Sequence, residues 1–304
     1  MISPRWRVAG AALAAGLLGL LACARPTAPA LEPAAPALWR AEAPEAGTLY
    51  LLGSVHMGTR ADLELGPGVE EAWQSADELV VEIDLDRVSD QELSSLTLRH
   101  GKLSPPLRLW DLISGETRGQ LEAWLALRGL PAEAIAQYKP WFASLTVVQV
   151  ELQLAGYDPA HGVDRYFIQA ARGRKSVVGL ETVDSQLELM DRLPASLQEL
   201  MLQDALARVD EFPGETAQLL AAWGRGDDRE LEALVFAPLE EMPELGLFYD
   251  LVFFQRNANM ASRLAELSGD GRTRFVVVGA GHMLGDQGIP ALLARRGYSV
   301  SRVR

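Results

Sequence analysis

Four short apolar runs punctuate this chain. They are "TLYLLG" ending at Gly53, "ELVVEIDL" from Glu78 to Leu85, "SVVGLE" ending at Glu181 and "RFVVVGAG" ending at Gly281. Each is brief and partly β-branched, which predicts strands rather than helices. The runs are continuous rather than alternating, as befits strands buried on both faces. Between the first two, "GPGVEEAWQSAD" moves from glycine and proline breakers into a helical pattern, so strand, helix and strand predict a βαβ unit. The middle, Ser89 to Gly156, carries long amphipathic patterns such as "WFASLTVVQVELQLAG". A second helical block runs from Ser196 to Ser268 and ends in "LFYDLVFFQRNANMASRLAEL", whose stretch from Leu245 to Leu267 suits packing into the core or into a second subunit. The tail "GDQGIPALLARRGYSVSRVR" predicts a helix and a last strand. No repeat of fixed period is present. The expectation is an α/β, mixed α+β, fold: a central mostly parallel sheet with strand-end active-site loops, and a large helical subdomain at about 89–160 and 196–268.

The first residues change the picture of where such a fold would work. Residues 1–22 carry Arg5 and Arg7 and then an Ala, Gly and Leu stretch, the pattern of a secretion signal. Its end, "LLAC", resembles the lipobox of bacterial lipoproteins, which makes Cys23 the expected lipidation site. Cys23 is also the single cysteine of the chain, so no intramolecular disulfide can form. Residues 23–38 are Pro/Ala-rich and predict an extended tether, leaving the folded part to begin at Trp39. The expected location is the bacterial cell envelope, with the protein exported and lipid-anchored on the periplasmic side, the membrane being met through that lipid. The net charge of -13 opposes binding to nucleic acid.

The chemistry concentrates at the predicted strand ends. The chain has four histidines, and two of them stand three residues after a glycine that follows an apolar run: His56 after Gly53 and His282 after Gly279, with Gly281 in the same loop. Ligands collect beyond the carboxyl ends of parallel strands. Two imidazoles there are the start of a divalent transition-metal site. Glu181 closes its own strand in the same manner and is the natural third ligand. Glu82, a carboxylate inside an apolar run, is either a fourth ligand or the general base. Arg256 and Asn257 interrupt an apolar helix face, which fits a buried hydrogen-bond pair and equally fits groups that orient substrate or stabilise developing charge. His100 sits at a predicted helix end and reads as structural, and His161 lies in a loop before a helix, at the margin of the site. There is no His-Glu-x-x-His helix, no Gly-x-Ser-x-Gly elbow and no P-loop.

Taken in order, "LGSVHMGT", "AWQSADELVVEID", "GVDRYFIQAARGRKSVVGLET", "RNANM" and "VVGAGHMLGDQGIPALLARRGY" resemble the TraB/PrgY/GumN family, related to the Tiki metalloproteases. The resemblance runs from about Trp39 to the C-terminus. It implies a mixed α/β fold and a metal-dependent hydrolytic site made of the two Gly-x-x-His motifs and a glutamate. Here those are His56, His282 and Glu181, with Gly53 and Gly279 as motif glycines and Arg256 and Asn257 lining the site. The expected activity is that of a metal-dependent hydrolase, a peptidase acting on a peptide or other small-molecule substrate. Its cofactor is Mn, Co or Zn, with the resemblance favouring Mn or Co. The alternatives are an envelope lipoprotein that binds a small peptide or haem without turnover, and a structural protein whose histidines brace loops.

Overall fold

The computed structural model describes residues 34–59 and 64–303. The expected signal segment, Cys23 and the tether up to residue 33 lie outside them. Among the described residues six strands form one sheet: β1 (Leu38–Glu42), β2 (Leu49–Ser54), β3 (Glu78–Val81), β4 (Ser176–Gly179), β5 (Arg274–Gly279) and β6 (Ser299–Arg302). Their order is β4-β3-β5-β2-β1-β6. The pairs β4–β3, β3–β5 and β5–β2 are parallel, and β1 is antiparallel to both β2 and β6. The sheet is therefore mostly parallel, as the apolar runs predict. The helix expected after β2 is α1 (Pro67–Ser75), opened by proline at its first position. It does link two parallel strands, but β5 lies between β2 and β3.

The helical middle comprises α2 (Asp90–Gly101), α3 (Gly115–Leu127), α4 (Pro140–Leu154) and, after a loop, α5 (Val163–Ala171). Beyond β4 follow α6 (Val183–Asp191), α7 (Ala195–Ala207), α8 (Phe212–Gly224) and α9 (Asp228–Glu241). A π-turn, Asp250–Phe254, then leads into α10 (Gln255–Ser268), and α11 (Ile289–Arg295) precedes β6. The sequence pattern of α4 reads as amphipathic, yet Ala143, Ser144, Val147 and Glu151 are buried as well as the face of Trp141, Leu145, Val148 and Leu152; α7 and α8 pack on this helix, and Ser144 Oγ donates to the Met201 carbonyl of α7 at 3.0 Å. The stretch from Leu245 to Leu267 likewise spends its apolar side on this chain's own core, with Leu245, Val252, Phe253, Met260 and Leu264 buried. No described helix is long and apolar enough to cross a membrane.

The strand period of two divides the core. Leu52, Leu79, Val81, Phe275 and Val277 face the helical lobe, whereas Leu49, Leu51, Val80, Val276 and Val278 face α10 and α11. Both faces of the sheet are thus covered, which is why β5 is buried at every position. The folded part starts earlier than Trp39. Ala34 pairs with Leu65 as a bridge, the Ala35 N–H donates to the Gly224 carbonyl at 2.7 Å, and Leu38 opens β1, so residues 34–38 are docked rather than part of a tether. β1 itself has no counterpart among the predicted strands.

Candidate functional site

Four neighbouring parallel strands, in sheet order β2, β5, β3 and β4, end in chemistry: His56, His282, Glu82 and Glu181 follow them respectively. The strands stop sooner than the apolar runs suggest. β3 ends at Val81 and β4 at Gly179, so both glutamates stand just beyond the strands, where one more backbone bond, from the Glu181 N–H to the Glu82 carbonyl at 2.8 Å, still ties the two segments. The loop after β2 is stitched to the segment before α5, with Gly58 and Asp158 exchanging backbone bonds of 3.2 and 2.8 Å and Val163 N–H donating to Val55 O at 2.9 Å. A Cβ at Gly162 would come within 2.5 Å of the His56 carbonyl, so this stitching needs a glycine there. Gly53 plays the same part below: a Cβ would meet the Ala280 Cα at 2.9 Å. A Cβ at Gly281 would strike the Phe253 ring, whose centroid stands 5.4 Å from that of His282.

Each histidine has its Nδ1 anchored. His56 Nδ1 meets Asp164 Oδ2 at 2.8 Å, and Ser54 donates to Asp164 Oδ1 at 2.6 Å. Asp164 sits in the first turn of α5, where the helix dipole favours a carboxylate. His282 Nδ1 meets Asn257 Oδ1 at 2.5 Å. The Asn257 amide donates to the Gln287 carbonyl at 2.8 Å, which fixes its oxygen as the acceptor and therefore places the His282 proton on Nδ1. In both rings Nε2 is the atom left for chemistry. Those atoms and Glu82 surround one small space: an ideal Cβ on Gly279 would lie 3.1 Å from Glu82 Oε1, 3.2 Å from His56 Nε2 and 3.5 Å from His282 Cδ2.

Glu82, not Glu181, is the carboxylate beside the histidines. Its Oε1 accepts the Gly279 N–H at 2.6 Å and stands 3.7 Å from His282 Nε2. Glu181 lies one strand further along the sheet and is turned to Arg256, whose Nε and NH2 reach its two oxygens at 2.9 and 2.6 Å. The same NH2 donates to Glu82 Oε2 at 2.6 Å, and Gln186 donates to both carboxylates at 3.1 and 2.9 Å. Arg256 spends its remaining NH1 on the Val252 carbonyl. All three Arg256 nitrogens and both Asn257 polar atoms are thus engaged in the protein, and Arg256 also lines the cavity. His100 braces α2 against α6 through Asp184 at 2.8 Å. His161 is not among the residues lining the cavity, and its Nδ1 is buried without a hydrogen-bond partner among the described residues.

The electrostatics follow from these contacts. Burial would lower the His56 pKa, but Asp164, with help from Glu82, outweighs it and lifts the group to about 9. Burial, reinforced by Arg256, presses His282 down to about 3. Burial would raise Glu82, yet Arg256, both histidines and the Gly279 N–H hold its carboxyl far below the usual carboxylate range. These groups form one wall of a cavity of about 140 Å³. His56, 23 % exposed, stands nearer solvent and His282, 5 % exposed, lies deeper. Among the described residues, no group of three or more His, Cys, Asp or Glu side chains has the spacing of a metal-ligand set.

Sequence reasoning missed Asp164, Ser54 and Gln186. Asp164 had a usable signal, an acid at the start of a helix within "GVDRYF", a segment that already stood out. Ser54 and Gln186 had none beyond their polarity.

A mostly parallel sheet with two Gly-x-x-His loops on adjacent strands defines the class, and the family follows from comparison: residues 37–302 match the TraB/PrgY/gumN family model, and the chain belongs to that family. The protein is similar to the uncharacterized protein YbaP of Escherichia coli (strain K12), 24 % identical over 80 % of this chain and 87 % of YbaP. It is also similar to an uncharacterized protein of Treponema pallidum (strain Nichols), 21 % identical over 85 % of this chain and 80 % of that protein. A metalloprotease TIKI homolog of Nematostella vectensis is 27 % identical over 47 % of this chain and 36 % of its own length. No solved structure matches.

Proposed function

We propose that the protein is a metal-dependent hydrolase of the cell envelope, a peptidase, in which His56 Nε2, His282 Nε2 and Glu82 Oε1 hold one divalent transition metal. The observation that carries this reading is the anchoring of both Nδ1 atoms, by Asp164 and by Asn257, which leaves two Nε2 atoms and one carboxylate oxygen around the space above Gly279. Metal-bound histidines ordinarily carry such a partner on the other ring nitrogen. Partial similarity to a metalloprotease agrees with it. A metal held there would act as a Lewis acid and make water acidic enough to serve as a nucleophile near neutral pH. Glu82 takes the ligand role that strand-end spacing had suggested for Glu181. Glu181 and Gln186 instead hold Arg256, and Arg256 compensates the charge of Glu82. Export and attachment through Cys23 complete the proposal. Haem does not suit the cavity: about 140 Å³ is well below the roughly 300 Å³ at which pockets for drug-sized ligands begin.

The test is metal content and stoichiometry of the full chain beside His56→Ala, His282→Ala, Glu82→Gln and Glu181→Gln, with folding followed by circular dichroism. One Mn, Co or Zn per chain is expected in the parent and in Glu181→Gln, and none in the other three. Parent protein that is folded and binds none of these metals defeats the hydrolase reading.

A further inference from the structure

Most of the charge around the cavity is already answered. Of the ionisable side chains that line it, Asp164 is held by His56 and Ser54, His282 by Asn257, and Glu82 by Arg256 and the Gly279 N–H. Arg256 in turn is spent on Glu82, Glu181 and the Val252 carbonyl. Arg165 is the exception. It lines the cavity, it is exposed, and no hydrogen bond or ion pair engages its guanidinium among the described residues. It is the third residue of α5, in the first turn, where the helix dipole disfavours a cation. Asp86 senses its charge, but both oxygens of that carboxylate are taken by Arg172, at the other end of α5, at 2.6 and 2.7 Å. Neither the helix that carries Arg165 nor a bonded acid accounts for this cation, in a chain whose net charge is -13. The residue before it, Asp164, anchors His56, which is the histidine nearer solvent.

We propose that Arg165 is a specificity-determining residue, whose guanidinium receives a carboxylate of the substrate at the solvent side of the cavity and so places the neighbouring bond before the strand-end groups. The assignment rests on the peptidase reading for the substrate being a peptide, whose carboxylates are the α-carboxylate at its C-terminus and the side chains of Asp and Glu. A guanidinium matches a carboxylate through two parallel N–H···O bonds and stays charged at any working pH. The acids already in the site do not compete for it, because each is paired, Glu82 with Arg256 and Asp164 with His56. A peptide with neither kind of carboxylate would leave Arg165 unused.

The experiment is equilibrium dialysis of the metal-free full chain against three pools of N-acetylated tetrapeptides, read by mass spectrometry. One pool has uncharged side chains and a free C-terminal carboxylate, one is C-terminally amidated and carries a single Asp or Glu, and one is amidated with neither. A carboxylate pool is expected to be retained roughly tenfold more than the neutral pool, the worth of one charge-assisted bond. Which pool it is names the source of the carboxylate. Arg165→Gln should bring retention down to the neutral level and Arg165→Lys should keep part of it, with the circular dichroism unchanged. Arg172→Gln removes the same charge beside the same helix, at the arginine that Asp86 already holds, and should leave the preference standing. Equal retention of all pools, retention of none, a preference that survives Arg165→Gln, or one that Arg172→Gln also abolishes overturns the assignment. Metal content reports on the hydrolase reading and peptide retention on Arg165, so either can fail alone.

Discussion

Of the three arginines buried among the described residues, Arg274 is held by Glu78 and Asp270, and the other two, Arg256 and Arg208, meet their acids differently. At the sheet edge Arg256 faces two carboxylates, and all four carboxylate oxygens find a donor once Gln186 and the Gly279 N–H are added. In the helical lobe Arg208 faces three: Asp204 at 3.2 Å, Glu211 at 3.3 Å and Glu215. There Asp204 Oδ1 is buried with no hydrogen-bond partner among the described residues. The outcomes diverge as the donor counts do. Burial would raise both carboxyls, but Glu82 is held far below its ordinary range, whereas burial prevails at Asp204 over Arg208 and lifts it to about 7. An arginine alone does not settle the charge of a buried acid: at Glu82 the two histidines and the Gly279 N–H add to Arg256, whereas at Asp204 the charges of Glu215 and Glu211 work against Arg208, and one oxygen lacks a donor among the described residues.

The largest effect should come from removing the better-satisfied cation. Arg256→Met strands Glu82 and Glu181 without their main partner and is expected to cost ~3–5 kcal/mol, the range for breaking a buried pair. Arg208→Met should cost less, about 2–3 kcal/mol at pH 8, because Glu211 is exposed and Asp204 can retreat to its neutral form. Urea unfolding of both variants at pH 8 and pH 5 checks the pair. The cost of Arg208→Met should shrink at pH 5. Equal costs at both pH values would break the comparison.

Asp204→Asn comes next and has the opposite sign. The folded pKa of Asp204, about 7, lies above the ordinary aspartate value of 3.8, so the folded state binds the extra proton between those values. Its contribution is therefore most favourable below about pH 4 and is lost as pH rises through about 7. Asn cannot ionise and removes that loss. A gain of about 1–2 kcal/mol is expected at pH 8, less than the full shift because the bond from Arg208 is weakened, with no gain at pH 4. Thermal denaturation across that range measures it.

The same contrast shows what the sequence could and could not reveal. His56 and His282 were legible because a glycine after an apolar run marks a strand end, and the structure puts both on adjacent strands. Glu82 and Glu181 were legible as acids that need partners. Which of them would join the histidines was not, because that depends on β5 inserting between β2 and β3, a pairing between segments about two hundred residues apart. Strand order moved Glu181 one strand away. β1 was missed because "LWRAE" carries two charges in five residues, and although β2 follows it directly, its other partner, β6, lies at the far end of the described residues. The cluster at Arg208 left no mark beyond ordinary helix-surface charges, since its burial arises from α8 and the segment after α9 folding over it.

The smallest effect is the sharpest for the donor argument. Gln186 carries no charge, is not placed on the histidines, and gives one bond each to Glu82 and Glu181. Gln186→Met keeps much of the volume and removes only those donors, leaving Glu82 Oε2 with the Arg256 NH2 alone and Glu181 Oε2 with the Arg256 NH2 and Nε. If charge balance were what distinguished the two networks, nothing would change, since one arginine and two acids remain. If donor count distinguishes them, the sheet edge moves toward the condition of Asp204, at a cost of about 1 kcal/mol. Urea unfolding at pH 7 separates the alternatives. A cost indistinguishable from zero would return the explanation to charge alone.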